Sequence, residues 1–120
     1  IRQKQKDLEK KVRLSKEELK DFIIKCLEEK NAENISCIKI ENKTPIAEYM
    51  IFASGRSVKN IQAIAEFTAI ELKKELKWKA DVEGLKGSDW VLLDAGDVIV
   101  HLFHPETRER LKLEELWNKK

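Results

Sequence analysis

Asp89-Trp90-Val91-Leu92-Leu93-Asp94-Ala95-Gly96-Asp97-Val98-Ile99-Val100-His101-Leu102-Phe103-His104-Pro105 is the stretch on which the fold turns. Val91 to Leu93 is a short continuous apolar run, the signature of a strand buried on both faces. Asp94 to Asp97 carries turn chemistry: an aspartate can bond its own backbone, and Gly96 can take a positive φ. Val98 to Phe103 is rich in β-branched and aromatic residues, and Pro105 ends it. The whole reads as a β-hairpin in the middle of a core. The same stretch holds most of the groups that could act on something else: Trp90, Asp94, Asp97, His101 and His104.

Working back from the hairpin, residues 84–89 form a loop with two glycines, preceded by a short strand over 79–83. Before that, Ser57 is a good N-cap for a long helix from Val58 to about Lys77. Ile61, Ile64, Ala65, Thr68 and Leu72 lie on one stripe of it, which Phe67 and Ile70 widen. Such a breadth of apolar surface suits a helix that crosses a sheet and meets a second copy of the chain. Lys73, Lys74, Lys77 and Lys79 cluster at its C-terminal end, where the macrodipole favours cations. Tyr49 to Ala53 forms a continuously apolar strand, and Ser54-Gly55-Arg56-Ser57 breaks it. Strand, helix and strand make a βαβ unit with parallel strands and a right-handed crossover.

Further upstream, Ile35, Cys37, Ile38 and Ile40 mark a strand joined to the next by the polar turn 41–45, so the two pair antiparallel. Ser15 to Glu18 is a capping box, and the helix behind it shows Leu19, Phe22, Ile23, Cys26 and Leu27 at helical spacing. It should stop near Lys30-Asn31. Residues 1–14 are a basic leader with a surplus of four positive charges, either a frayed helix or a mobile arm. On the other side of the hairpin, residues 106–110 suit one helical turn. Leu113, Leu116 and Trp117 suit a last amphipathic turn that docks the C-terminus.

The 120 residues fit one domain, 15–120, behind the leader. Lys+Arg is 24 against Asp+Glu 22, a balance unlike the large basic excess of a dedicated nucleic-acid binder. Neither Cys26 nor Cys37 stands in a metal-ligand spacing, and both read as buried free thiols. No apolar run approaches the ~18 residues of a membrane span. A cytoplasmic protein is expected, or one of an organellar matrix where a targeting segment has been removed.

Gly55-Arg56-Ser57 lies between a strand and a helix N-terminus, where backbone amides can hold an anion. One glycine falls short of a phosphate loop, so a tight turn with a cap is the simpler reading. Asp94 and Asp97 could hold a hard cation, yet aspartates more often serve the turn itself. His101 and His104 are three apart, so in a strand they point to opposite faces rather than chelating together. Trp90 suits either core or interface, with its indole N–H wet at the strand entry.

Tyr49 to Ser57, Val82-Glu83-Gly84 and the string Asp89-Trp90…Asp94-Ala95-Gly96-Asp97-Val98-Ile99-Val100-His101, closing with Arg110-Leu111 and Leu113 to Trp117, resemble the ribosomal silencing factor, or Iojap-like, family. The likeness spans about Ser15 to Trp117. It departs at Arg56, where threonine is common, and at Lys59-Asn60, where many members carry Arg-His. The resemblance implies an α/β domain with a mixed sheet and packed helices, nucleotidyltransferase-like without the catalytic acids. It also implies a homodimer with no cofactor, no metal and no catalysis. Its partner would be the large ribosomal subunit, met through ribosomal protein fourteen at the subunit interface, so that the small subunit cannot join. The partner-binding residues would be Trp90, Asp94, Gly96, Asp97 and His101, with Gly55 and Ser57 as turn and helix cap. Against this stands an enzyme that transfers nucleotides or phosphate with Gly55 to Ser57 and Asp94/Asp97. Metal-holding acids of such enzymes stand two apart on one strand face, whereas these are three apart across a turn.

Overall fold

The computed structural model describes residues 14–40, 47–84 and 89–118, and the side chains up to residue 115. The basic leader, the polar turn at 41–45, most of the two-glycine loop and the docking of Leu116 and Trp117 therefore lie outside the described residues.

Helix α1 (Lys16–Glu29) begins at the expected capping box: Ser15 Oγ accepts the Glu18 amide at 3.0 Å, and Glu18 Oε1 accepts the Ser15 amide at 3.0 Å. It stops where expected, with Asn31 at φ 61°. Then come β1 (Glu33–Lys39), β2 (Tyr49–Ser54), α2 (Val58–Leu76), β3 (Asp81–Glu83), β4 (Trp90–Asp94) and β5 (Val98–Phe103). The short helices α3 (Pro105–Leu111) and α4 (Leu113–Asn118) end the described chain.

The five strands form one mixed sheet in the order β1-β2-β5-β4-β3. Only β2 and β5 are parallel neighbours; the other three pairs are antiparallel, β1 with β2 as read from the short connection. Strands β2 and β3 do run in the same direction, but β5 and β4 lie between them. The tight 94–97 turn obliges β4 and β5 to pair, and β5 then takes the place beside β2. Every residue of β5 is buried, as the centre of a sheet covered on both faces requires. Strand β4 differs from the expectation of two buried faces: Val91 and Leu93 are buried, Leu92 is half-buried and Trp90 is 37 % exposed.

The pairing register sorts the side chains into two faces. Ile51, Val100 and Leu93 stand in one row and Ala53, Leu102 and Val91 in another, both covered by α1 and α2 through Leu19, Ile23, Leu27, Ile61, Ile64, Ala65 and Leu72. Burial of about ten such side chains, each contributing roughly 1.5–3 kcal/mol, is the main source of stability. The opposite face carries Met50, Phe52, Ile99 and Phe103, with Ile38, Leu92 and Leu113 packed against them.

Two expected burials fail. Ile70 does not widen the buried stripe of α2; it is 60 % exposed, because it lies on the flank of the helix away from the sheet. Phe67 is half-buried beneath the Lys30 ammonium, 4.5 Å from its ring centre. Cys37 is exposed, since β1 is an edge strand, whereas Cys26 is buried in α1. No helix among the described residues is long and apolar enough to cross a membrane.

Candidate functional site

Three ring side chains of the second face come from neighbouring strands. Phe52 on β2 stands beside His101 on β5, and Phe103 follows His101 by two residues, which keeps it on the same face. Their rings lie nearly parallel: Phe52 to His101 is 5.0 Å between centres at 11°, and His101 to Phe103 is 6.0 Å at 6°. Trp90 pairs with Phe103 across the β4–β5 ladder. Its ring leans on this stack, 5.5 Å from Phe103 at 30° and 6.0 Å from His101 at 33°. Its indole Nε1–H donates to His101 Nδ1 at 3.2 Å. Trp90 is thus held on one side and open to solvent on the other.

His101 is 6 % exposed, and burial pushes its imidazole down to about pKa 4, so the ring is neutral near pH 7. His104 is elsewhere: it caps α3, its Nδ1 accepting the Glu106 amide at 3.4 Å. The two histidines are not brought together. Asp89 links the entry of β4 to α3, its carbonyl accepting the His104 amide at 3.0 Å and its carboxylate accepting the Thr107 hydroxyl. That hydroxyl holds the Asp89 carboxyl below the usual carboxylate range.

Asp94 serves the turn, its Oδ1 accepting the Gly96 amide at 2.9 Å, while Gly96 takes φ 85°. The Asp97 carbonyl accepts the amides of Glu48 at 2.8 Å and Tyr49 at 3.1 Å, which ties the turn to the start of β2. Among the described residues no group of three or more His, Cys, Asp or Glu side chains is placed to hold a metal ion. Trp90 and Asp94 share the second face of β4, with Leu92 between them. Gly96 and Asp97 lie beyond it, in the turn.

Gly55 to Ser57 lies at the opposite end of β5. The Gly55 amide donates to the Phe103 carbonyl at 2.9 Å, whereas Asp94 pairs with Ile99 at the strand's start. The five steps of ~3.3 Å along β5 put roughly 17 Å between the glycine turn and the two aspartates. An enzyme using both would need them in one place. The turn's donors are also partly spent: Asn60 Oδ1 accepts the Arg56 amide at 3.1 Å, and Ser57 Oγ accepts the Asn60 amide at 3.0 Å. Asn60, one of the departures from the family pattern, thereby closes the turn. A Cβ on Gly55 would stand 2.8 Å from Ile61 Cγ1 and 2.9 Å from Asn60 Oδ1, so close approach requires the glycine.

Two arrangements have no counterpart in the reading of the sequence. Trp78, just past the end of α2, donates its indole N–H to the Ala95 carbonyl at 2.8 Å and braces the hairpin turn from behind. A tryptophan just past the expected helix end near Lys77 was the available signal. Arg108 on α3 donates to Ser54 Oγ at 2.9 Å and pairs with Glu114 at 2.6 Å, joining both terminal helices to the end of β2. The Arg108 guanidinium holds the Glu114 carboxyl below its ordinary range.

The family model described as "Ribosomal silencing factor during starvation" matches residues 13–120. The "Ribosomal silencing factor RsfS" of Zymomonas mobilis is 42 % identical over 101 residues, covering 84 % of this chain and 76 % of that protein. The mouse "Mitochondrial assembly of ribosomal large subunit protein 1" is 32 % identical over 101 residues; the match covers 81 % of this chain and 44 % of that protein. A crystal structure of a Chromobacterium violaceum protein superposes with a TM-score of 0.82 at 31 % identity, covering 88 % of each chain. One from Bacillus halodurans gives 0.73 at 30 % identity, covering 84 % of this chain and 94 % of that one.

Proposed function

The chain belongs to the ribosomal silencing factor family, and we propose that it binds the large ribosomal subunit and blocks joining of the small subunit. On this reading the contact is ribosomal protein fourteen at the subunit interface, and translation falls by occupancy alone. The observation that carries it is Trp90, 37 % exposed yet anchored by its edge on a stack of buried rings. Steric blocking requires long residence, and residence depends chiefly on the dissociation rate, which aromatic anchors slow. Asp94, Gly96 and Asp97 extend the contact from Trp90 along β4 and around the turn. The names of the bacterial relatives support the silencing role, and that of the mouse relative supports the large subunit.

The protein acts without catalysis, cofactor or metal: the glycine turn and the paired aspartates lie at opposite ends of β5, and Asp94 is occupied by its own turn. It works as a homodimer, for which exposed Ile70 on α2 offers apolar surface. It reads neither membrane nor nucleic-acid sequence, and acts in the cytoplasm or an organellar matrix.

Sedimentation of the protein with isolated ribosomal subunits tests this reading. The protein should travel with the large subunit, and its addition before mixing should deplete the associated ribosome peak. An undiminished peak at saturating protein, or travel with the small subunit, would contradict it.

A further inference from the structure

We propose that His101 is a positioning residue, which fixes the Trp90 indole in its docking orientation through the hydrogen bond from indole N–H to His101 Nδ1. The inference rests on the reading of Trp90 as the ribosomal anchor. Tilted ring contacts at 30° and 33° leave the indole's torsion about Cβ–Cγ weakly fixed, because that torsion is broad and roughly two-fold. A directed hydrogen bond removes that freedom. The 3.2 Å contact supplies it, at the edge of a ring that is itself stacked on Phe52 at 5.0 Å.

The chemistry of the imidazole sharpens the assignment. A neutral imidazole has one accepting nitrogen and one N–H. With Nδ1 accepting from Trp90, the proton sits on Nε2. That Nε2 is buried and has no hydrogen-bond partner among the described residues, and an unpartnered buried donor is destabilising. A phenylalanine at this position would pack beside Phe52 and Phe103 without that cost. It would also leave the indole without its acceptor. The polar ring in this apolar pile is therefore accounted for by what Nδ1 does for Trp90. Burial assists, by keeping the ring neutral and Nδ1 open at pH 7.

The test begins on the unaltered protein. Nitrogen-15 shifts of His101 at pH 7 should show a protonated Nε2 and a bare Nδ1; the opposite tautomer would overturn the proposal. His101→Phe then keeps the ring and removes the acceptor, while His101→Asn removes the ring and keeps an oxygen near the place of Nδ1. In His101→Phe the Trp90 indole proton, assigned through Trp90→Phe, should move upfield and exchange faster with water. Large-subunit binding should weaken about three- to tenfold while the melting temperature holds or rises. His101→Asn should bring the indole resonance back towards the parent's position. An unmoved indole resonance in His101→Phe would overturn the positioning role alone. Parent-like binding by Trp90→Ala would instead overturn the docking reading alone.

Discussion

The helical face of the sheet is sealed with aliphatic side chains, while the opposite face is built from rings and leaves one of them open. On the first face, Ile51, Val100 and Leu93 meet α1 and α2, and the residues of that row are fully buried. On the second, Phe52, His101 and Phe103 are buried, but the pile ends at Trp90, which is part packed and part wet. Both faces come from alternate residues of the same strands, and they differ in composition and in what covers them. Substitutions should therefore affect folding on the first face and at the buried rings of the second, and binding at Trp90.

The largest effect on folding is expected from Leu93→Ala, which leaves a cavity under α2. It should cost about 2–5 kcal/mol in urea unfolding, and any loss of ribosome binding should follow the loss of folded protein. A cost below about 1 kcal/mol would mean that the first face is not sealed.

The next effect is a pH dependence rooted in the second face. The His101 pKa lies near 4 in the folded chain against an ordinary 6.5. Below pH 6.5 the unfolded chain takes up a proton that the folded one resists. Stability is full above about pH 6.5, falls as pH drops, and levels off below about 4, with a loss of about 2 kcal/mol by pH 5. The shift arises from burial. The carboxyls held low, Glu18, Asp89 and Glu114, lose their contributions only at more acid pH. Urea unfolding at pH 7.5 and pH 5 checks the slope, which His101→Phe should abolish.

A smaller change separates the turn from both faces. Ser57→Ala removes the cap from α2 and should cost about 1 kcal/mol of stability. Binding should persist at full strength, because the cap lies at the end of β2 and α2's entry rather than on the β4–β5 turn. Reduced binding at unchanged stability, measured by sedimentation, would place the glycine turn in the contact.

What could be read from the chain was what depends on near neighbours. The Ser15 and Ser57 caps, the α2 stripe from Ile61 to Leu72 and the 90–103 hairpin each rest on residues within a few positions of one another. The insertion of β5 between β2 and β4 depends on pairing residues about fifty apart, such as Phe52 with His101, and no local pattern encodes it. Burial went wrong where it depended on what lay across a face: Ile70 at a helix flank and Cys37 on an edge strand carry the same letters as core residues. Within the candidate site, the types of Trp90 and His101 stood out, but their hydrogen bond spans two strands and follows only from the register. Arg108 with Ser54 was illegible for the same reason, being fifty-four residues apart.

On the proposed reading Trp90 belongs to the ribosome contact rather than to the core, and Trp90→Ala tests this most directly. Loss of an interface tryptophan costs about 2–4 kcal/mol of binding, a factor of roughly 30 to 1,000. Loss of a core tryptophan costs ~3–5 kcal/mol of folding. Affinity for isolated large subunits and the melting temperature, measured on the same preparation, separate the two. At least a tenfold fall in affinity is expected, with a melting temperature only a few degrees lower. A variant that melts far lower, or that binds the large subunit as well as the parent, would contradict it.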